Sequence, residues 1–243
     1  MYNVLLKFTF ENPEEIDDEQ PGWLVSGFYN NGHLINYYHT PTIRENTIIY
    51  NGAMLQPDSL DEKYYTPTAL QHLQQFRDEY HIRFEYEIIG EKPGKKLTSL
   101  NEASAFILYE GGYSPVRTLD TFTSVPLYLL PKTSESKEDY QNITGWEKSY
   151  ESIFGIWFRG NVDEPYFYDQ LTKYNSALSL HGMEICKQIT SLTGINCYYH
   201  LFNDPNPDVP DFENCPKCNS PWKLEEELFD TFKYKCDTCL LIS

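Results

Sequence analysis

Residues 213–243 read ENCPKCNSPWKLEEELFDTFKYKCDTCLLIS, and the two Cys-x-x-Cys pairs in this stretch decide its fold. Cys215 and Cys218 are followed, after 17 residues, by Cys236 and Cys239. Two residues between thiolates let one tight turn aim both sulfurs at the same ion, and two such turns complete a tetrahedral set. The intervening residues suit a short hairpin that returns the second turn to the first. The pattern predicts a small zinc ribbon over residues 213–243 with Cys215, Cys218, Cys236 and Cys239 as ligands of one Zn2+. Four thiolates fill a tetrahedral shell and leave no position for a reactive water, so the expected zinc is structural and not catalytic. Disulfides and a four-cysteine iron site are the competing uses of such spacing.

Upstream of the ribbon, Asn203 to Phe212 holds three prolines and three aspartates without periodicity, and residues 203–212 read as an acidic, proline-rich linker. The preceding residues 1–202 alternate between strand and helix signals, which predicts an α+β domain: a mixed or antiparallel sheet with packed helices. Strand patterns occupy Tyr2 to Phe10, Trp23 to Tyr29, Leu34 to Tyr38, Thr47 to Leu55, Ile82 to Ile89, Ala103 to Tyr109, Ser124 to Leu130 and Ile195 to Phe202. Thr66-Pro67 opens a helix running to about His81, and Ile143, Trp146, Tyr150 and Ile153 mark another. Phe167, Leu171, Tyr174, Leu178, Ile185, Ile189 and Leu192 recur as one long helix, capped by Asp163, ended by Gly194 and open to a bend at Gly182. Glu11 to Pro21, with six carboxylates between two prolines, reads as a solvated loop, and Lys92 to Lys95 as a turn.

Charge narrows the partners. The chain has 243 residues, 36 acids and 19 bases, for a net charge of −17. Such a surface repels phosphate and attracts cations. From Asp211 onward seven acids face four lysines, with no basic stripe of the kind that dominates nucleic-acid affinity. The lysines at 92, 95 and 96 form the densest basic cluster and read as the tip of a turn. No stretch is long and apolar enough for a membrane span and no secretory leader precedes the first strand, so no membrane contact and a cytoplasmic location are expected. A reducing compartment also favours metal over disulfides for the paired cysteines.

The remaining chemistry-bearing residues form no catalytic motif. Cys186 and Cys197 read as buried thiols, and Cys186 with His200 as an unsupported nucleophile and base, because no third residue is evident to orient the histidine. The histidines at 33, 39, 72, 81, 181 and 200 lack metal-ligand spacing, and Glu110-Gly111-Gly112 reads as a turn.

The run from Gly182 to Ile195 leading to Tyr198-Tyr199, then Cys-Pro-Lys-Cys, then Phe232 to Ser243, resembles a bacterial family of uncharacterised zinc-ribbon proteins. That family's description adds a suggested nucleic-acid-binding role. The resemblance implies the same four zinc ligands and no catalytic residue. In overall character the acidic, tyrosine-rich chain is also similar to immunity proteins that mask a cationic toxin. The sequence therefore predicts a non-enzymatic binder of a basic protein partner, a toxin or effector. A nucleic-acid-associated ribbon acting in transcription or translation is the alternative.

Overall fold

The computed structural model describes residues 1–93, 100, 103–133, 139–160, 162–204 and 213–243. The architecture is α+β, and the chain divides into two compact units: Met1–Leu97 with Pro126–Gln141, and Thr98–Val125 with Asn142–Ser243.

In the first unit the alternation of residues 2–10 is realised as β1 (Tyr2–Phe10). Tyr2, Val4, Leu6, Phe8 and Phe10 are buried, while the intervening side chains stay at least partly exposed. β1 lies between two antiparallel neighbours, β4 (Thr47–Met54) and β5 (Ile82–Glu91), and β4 also pairs with the short β2 (Asn36–Tyr37) and β3 (Thr42–Arg44). The buried face is covered by α1 (Glu19–Asn30) and α2 (Pro67–Asp78), which contribute Leu24, Val25, Phe28, Leu73 and Phe76 to one core with β1. Thr66 caps α2 as expected, its Oγ1 accepting from the Ala69 amide at 3.2 Å.

The segment Trp23 to Tyr29 is helical and not the expected strand. Pro21, Leu24, Val25 and Phe28 are its buried positions, a spacing of three, four and seven that a helix satisfies and a strand does not. Its aromatic and β-branched residues mimic a strand, and Trp23 is 70% exposed. The helix begins inside the acidic run, where Glu19 occupies the first turn and suits the positive end of the helix dipole.

The second unit holds a six-stranded sheet in the order β7-β6-β8-β11-β10-β9. These are β6 (Phe106–Leu108), β7 (Val116–Thr118), β8 (Cys197–His200), β9 (Lys223–Leu228), β10 (Phe232–Cys236) and β11 (Leu241–Ile242). β8 is parallel to both β6 and β11. The expected strand Ser124 to Leu130 is reduced to a single bridge at Ser124 and a 3₁₀ turn over Leu127–Leu129, because Pro126 cannot donate to a ladder.

Three helices complete the second unit: α3 (Gln141–Arg159, whose first residue is counted in the first unit), α4 (Glu164–Thr172) and α5 (Ala177–Thr193). The long helix expected from residue 167 is thus two. The break falls at residues 173–176, where Ser176 caps α5 by accepting from the Ser179 amide at 3.1 Å. Asp163 precedes α4 without making a side-chain cap bond. Gly182 does not bend α5. A Cβ there would come within 2.2 Å of the Tyr199 ring, so the glycine permits close packing of helix on strand.

The boundary expected between residues 1–202 and 213–243 does not separate compact units. The Tyr199 amide donates to the Leu240 carbonyl and the Leu201 amide to the Ile242 carbonyl, both at 2.9 Å, so β11 is a strand of the same sheet as β8. Phe232 and Ile242 share a core with Ala105, Ile107 and Tyr198. Within the expected linker, Asn203 and Asp204 have no regular structure; residues 205–212 lie outside the described residues, as do Gly94 and Lys95 of the expected turn.

Candidate metal centre

Each Cys-x-x-Cys pair is closed by a residue in the left-handed region: Asn219 (φ 59°) after Cys218 and Leu240 (φ 53°) after Cys239. In the first turn the Asn219 amide donates to the Cys215 carbonyl at 2.8 Å, and the Cys215 amide donates to the Ser220 carbonyl at 2.9 Å. The second turn links β10 to β11. Its Asp237 accepts from the Tyr198 hydroxyl at 2.6 Å and from the Lys235 ammonium, which also sits 4.7 Å from the Tyr198 ring centre. Trp222 stacks on Tyr234 at 5.2 Å beneath the hairpin, and both rings are buried.

These turns bring the Sγ atoms of Cys215, Cys218, Cys236 and Cys239 within 4.8 Å of one another, with Cys218 and Cys236 3.5 Å apart. All six cysteines are free thiols. A metal–sulfur bond of about 2.3 Å places tetrahedral sulfurs about 3.8 Å apart, against about 2.0 Å across a disulfide. The four residues therefore fit a metal ion such as zinc. Among the described residues this is the one cluster of cysteine, histidine and carboxylate groups with metal-holding geometry.

The thiols respond unequally to their confinement. Hydrogen bonds from Ser220 pull Cys218 down to about 6. Burial, together with the neighbouring sulfurs, pushes Cys239 well up, and burial raises Cys236 as well. Without a cation, each further thiolate is opposed by the last; a dication removes that opposition. With all four positions taken by sulfur, the centre can hold a fold together but offers no site for a substrate or water.

Cys186 and His200, weighed as a nucleophile and base, occupy opposite sides of β8. Cys186 lies beside Cys197, and Gly182 against Tyr199, on the α5 side. His200 points the other way, against the rings of Tyr109 (4.7 Å) and Phe232 (5.6 Å). Burial pushes the Cys186 thiol well above its ordinary range, the reverse of what a nucleophile needs. His200 does have an orienting partner, Glu110, whose Oε2 is 2.9 Å from its Nδ1. Ninety residues separate them in sequence, and nothing in the local pattern signals the pair.

Two family models match the chain. One, a domain of unknown function (DUF2310), covers residues 101–202, and the other, a domain of unknown function (DUF8594), covers residues 212–243. The chain is similar to uncharacterised bacterial proteins. Two such proteins of Haemophilus influenzae are each 28% identical over 164 residues, which is 65% of this chain. The shared region spans 80% of one relative but only 62% of the other. No solved structure matches significantly. No described helix is long and apolar enough to cross a membrane.

Proposed function

We propose that this protein is a non-catalytic binder of a basic polypeptide, in which the four-cysteine centre holds a structural zinc ion that stiffens one edge of the binding scaffold. The observation that carries the reading is the acidic character of the edge farthest from β7. β9 ends the six-stranded sheet and displays Glu225, Glu226 and Glu227 to solvent beside the metal-held turns. An open strand edge has unpaired backbone groups that a partner strand can join, and three carboxylates select a cationic one. The acidity is not confined to one region. The first unit carries 18 acids against 10 bases and the second 18 against 9, together the full 36 and 19.

The saturated thiolate shell and the separation of Cys186 from His200 support the absence of catalysis in this reading. A toxin with a cationic surface, neutralised as an immunity protein neutralises its target, is the partner class that fits. The test is co-purification of the tagged full chain from its native host. A stoichiometric basic protein is expected, released by raising salt and lost from the Glu225→Lys, Glu226→Lys, Glu227→Lys variant. Recovery of RNA or DNA without a stoichiometric protein would overturn the reading in favour of the nucleic-acid alternative.

A further inference from the structure

Within the first unit, α1 and α2 leave a crevice of about 480 Å³ between them. Trp23, Leu24, Gly27 and Phe28 form its α1 wall; Ala69 and Phe76 line it from α2. The volume is that of a site for a small molecule, and the rings of Trp23, Phe28 and Phe76 share the lining with polar side chains, Gln20, Thr66 and His72 among them.

Of the polar side chains that line it, His33 is the buried one. Only 4% of it is exposed, and its Nδ1 is 2.7 Å from the Ser59 carbonyl oxygen. A carbonyl can only accept, so Nδ1 carries the proton and Nε2 of the neutral ring keeps a lone pair. Burial holds the ring neutral, lowering its pKa to about 4. The ring cannot turn: it stacks on Tyr128 at 5.0 Å and meets the edges of Tyr65 (5.3 Å) and Phe28 (5.9 Å). Ser59 is fixed in turn by its hydroxyl, 3.1 Å from that of Tyr128. No described residue donates to Nε2. The neighbouring Asn31 directs one N–H to the Gly27 carbonyl at 3.0 Å, and its oxygen accepts from Lys132 at 2.5 Å. A fixed acceptor with no donor among the described residues, on a ring that lines the crevice, is a place for a ligand that brings the donor.

Charge selects among such ligands. Lys132 lies close enough to His33 to oppose a second cation there. Asp139 lines the same crevice, and the chain's charge of −17 opposes anions. We propose that the crevice binds a small uncharged aromatic molecule with one hydrogen-bond donor, of the phenol or indole class, whose O–H or N–H donates to His33 Nε2 while its ring lies against Phe28 and Phe76.

The test is titration of the full-length, metal-loaded protein with phenol and with indole, followed by imidazole and amide nitrogen NMR. A saturable shift of His33 Nε2 and of the Gly27 amide is expected. Toluene, which has the ring but no donor, should bind at least about tenfold more weakly, because it would cover the His33 acceptor without pairing it. Benzoate should not bind. Gly27→Phe provides the block. A Cβ at Gly27 meets no atom within 4 Å, so the added side chain starts in open space, and this variant should lose the phenol shift while its β1 amides keep their hydrogen-exchange protection. Three results would each overturn the proposal: no saturable shift with either probe at millimolar concentration, equal affinity for toluene, or phenol binding that survives Gly27→Phe.

Discussion

If Cys215, Cys218, Cys236 and Cys239 hold the proposed metal ion, stripping it should disorder much more than the ribbon. Phe232, Tyr234, Leu241 and Ile242 are fully buried and belong to the strands that the two cysteine turns hold in place. At about 1.5–3 kcal/mol for each large apolar side chain, exposing the four costs on the order of 6–12 kcal/mol, comparable to the whole stability of an ordinary domain. Hydrogen exchange with and without a strong chelator reads the outcome residue by residue. The Tyr199 and Leu201 amides, which donate to Leu240 and Ile242, should lose their protection when metal is removed. Amides of β1, bonded to β4 and β5 in the other unit, should keep theirs. Cys236→Ser should reproduce the chelator's pattern, and Cys186→Ser should leave the metal content of the parent unchanged. Unchanged protection at Tyr199 and Leu201 after complete metal loss would refute the reasoning, because it would show that the β8 side of the sheet stands without the ribbon.

Gly182→Ala should destabilise the second unit by about 1–3 kcal/mol, read as a lower urea midpoint, since its Cβ would press into the Tyr199 ring. Gly27→Ala should do the opposite, raising stability by roughly 0.5–1 kcal/mol, because the new methyl meets nothing and a helical glycine is replaced. His33 has a folded pKa near 4, below its ordinary 6.5, so the folded state resists protonation. Its contribution is present above pH 6.5 and is lost as pH falls towards 4, by about 3 kcal/mol; urea midpoints should decline through that window, and less steeply in His33→Gln. Glu147 has the reverse sign: burial raises it to about 7, so stability drains as pH climbs from 4.5 to 7, and Glu147→Gln should flatten that limb.

The elements legible in the sequence were those whose pattern repeats over enough residues to exclude an alternative. β1 alternates over nine residues, α2 carries both its cap and its period, and the two cysteine pairs specify their own turns. What failed was short or non-local. Val25, Phe28 and Tyr29 are strand-prone residues placed in a helix by the core they fill, an override of propensity that a seven-residue window cannot show. β7 and β11, of three and two residues, exist only because neighbouring strands supply their hydrogen bonds. His33 read as an isolated histidine. Its significance depends on Ser59 and Tyr128, 26 and 95 positions away, which the fold alone brings to its ring.

The placement of β11 explains why a four-cysteine centre stands at the edge of this sheet. β11 is only two residues long, and although it pairs in parallel with β8 and antiparallel with β10, ordering its backbone costs about 1–2 kcal/mol per residue. Leu240, immediately before it, adds a left-handed conformation that a leucine adopts at a cost of roughly 1–2 kcal/mol. Both costs fall where Cys239 is anchored beside three other thiols. A structural metal site releases on the order of 10 kcal/mol on binding, enough to hold Leu240 in its strained turn and deliver Leu241 and Ile242 into the gap between β8 and β10. On this reasoning Leu240→Gly should relax the turn and lessen the damage that chelation does at Tyr199. If it deepened that damage instead, the apolar contact that Leu240 makes with the Ile107, Tyr198 and Phe232 core would be the stronger of the two effects.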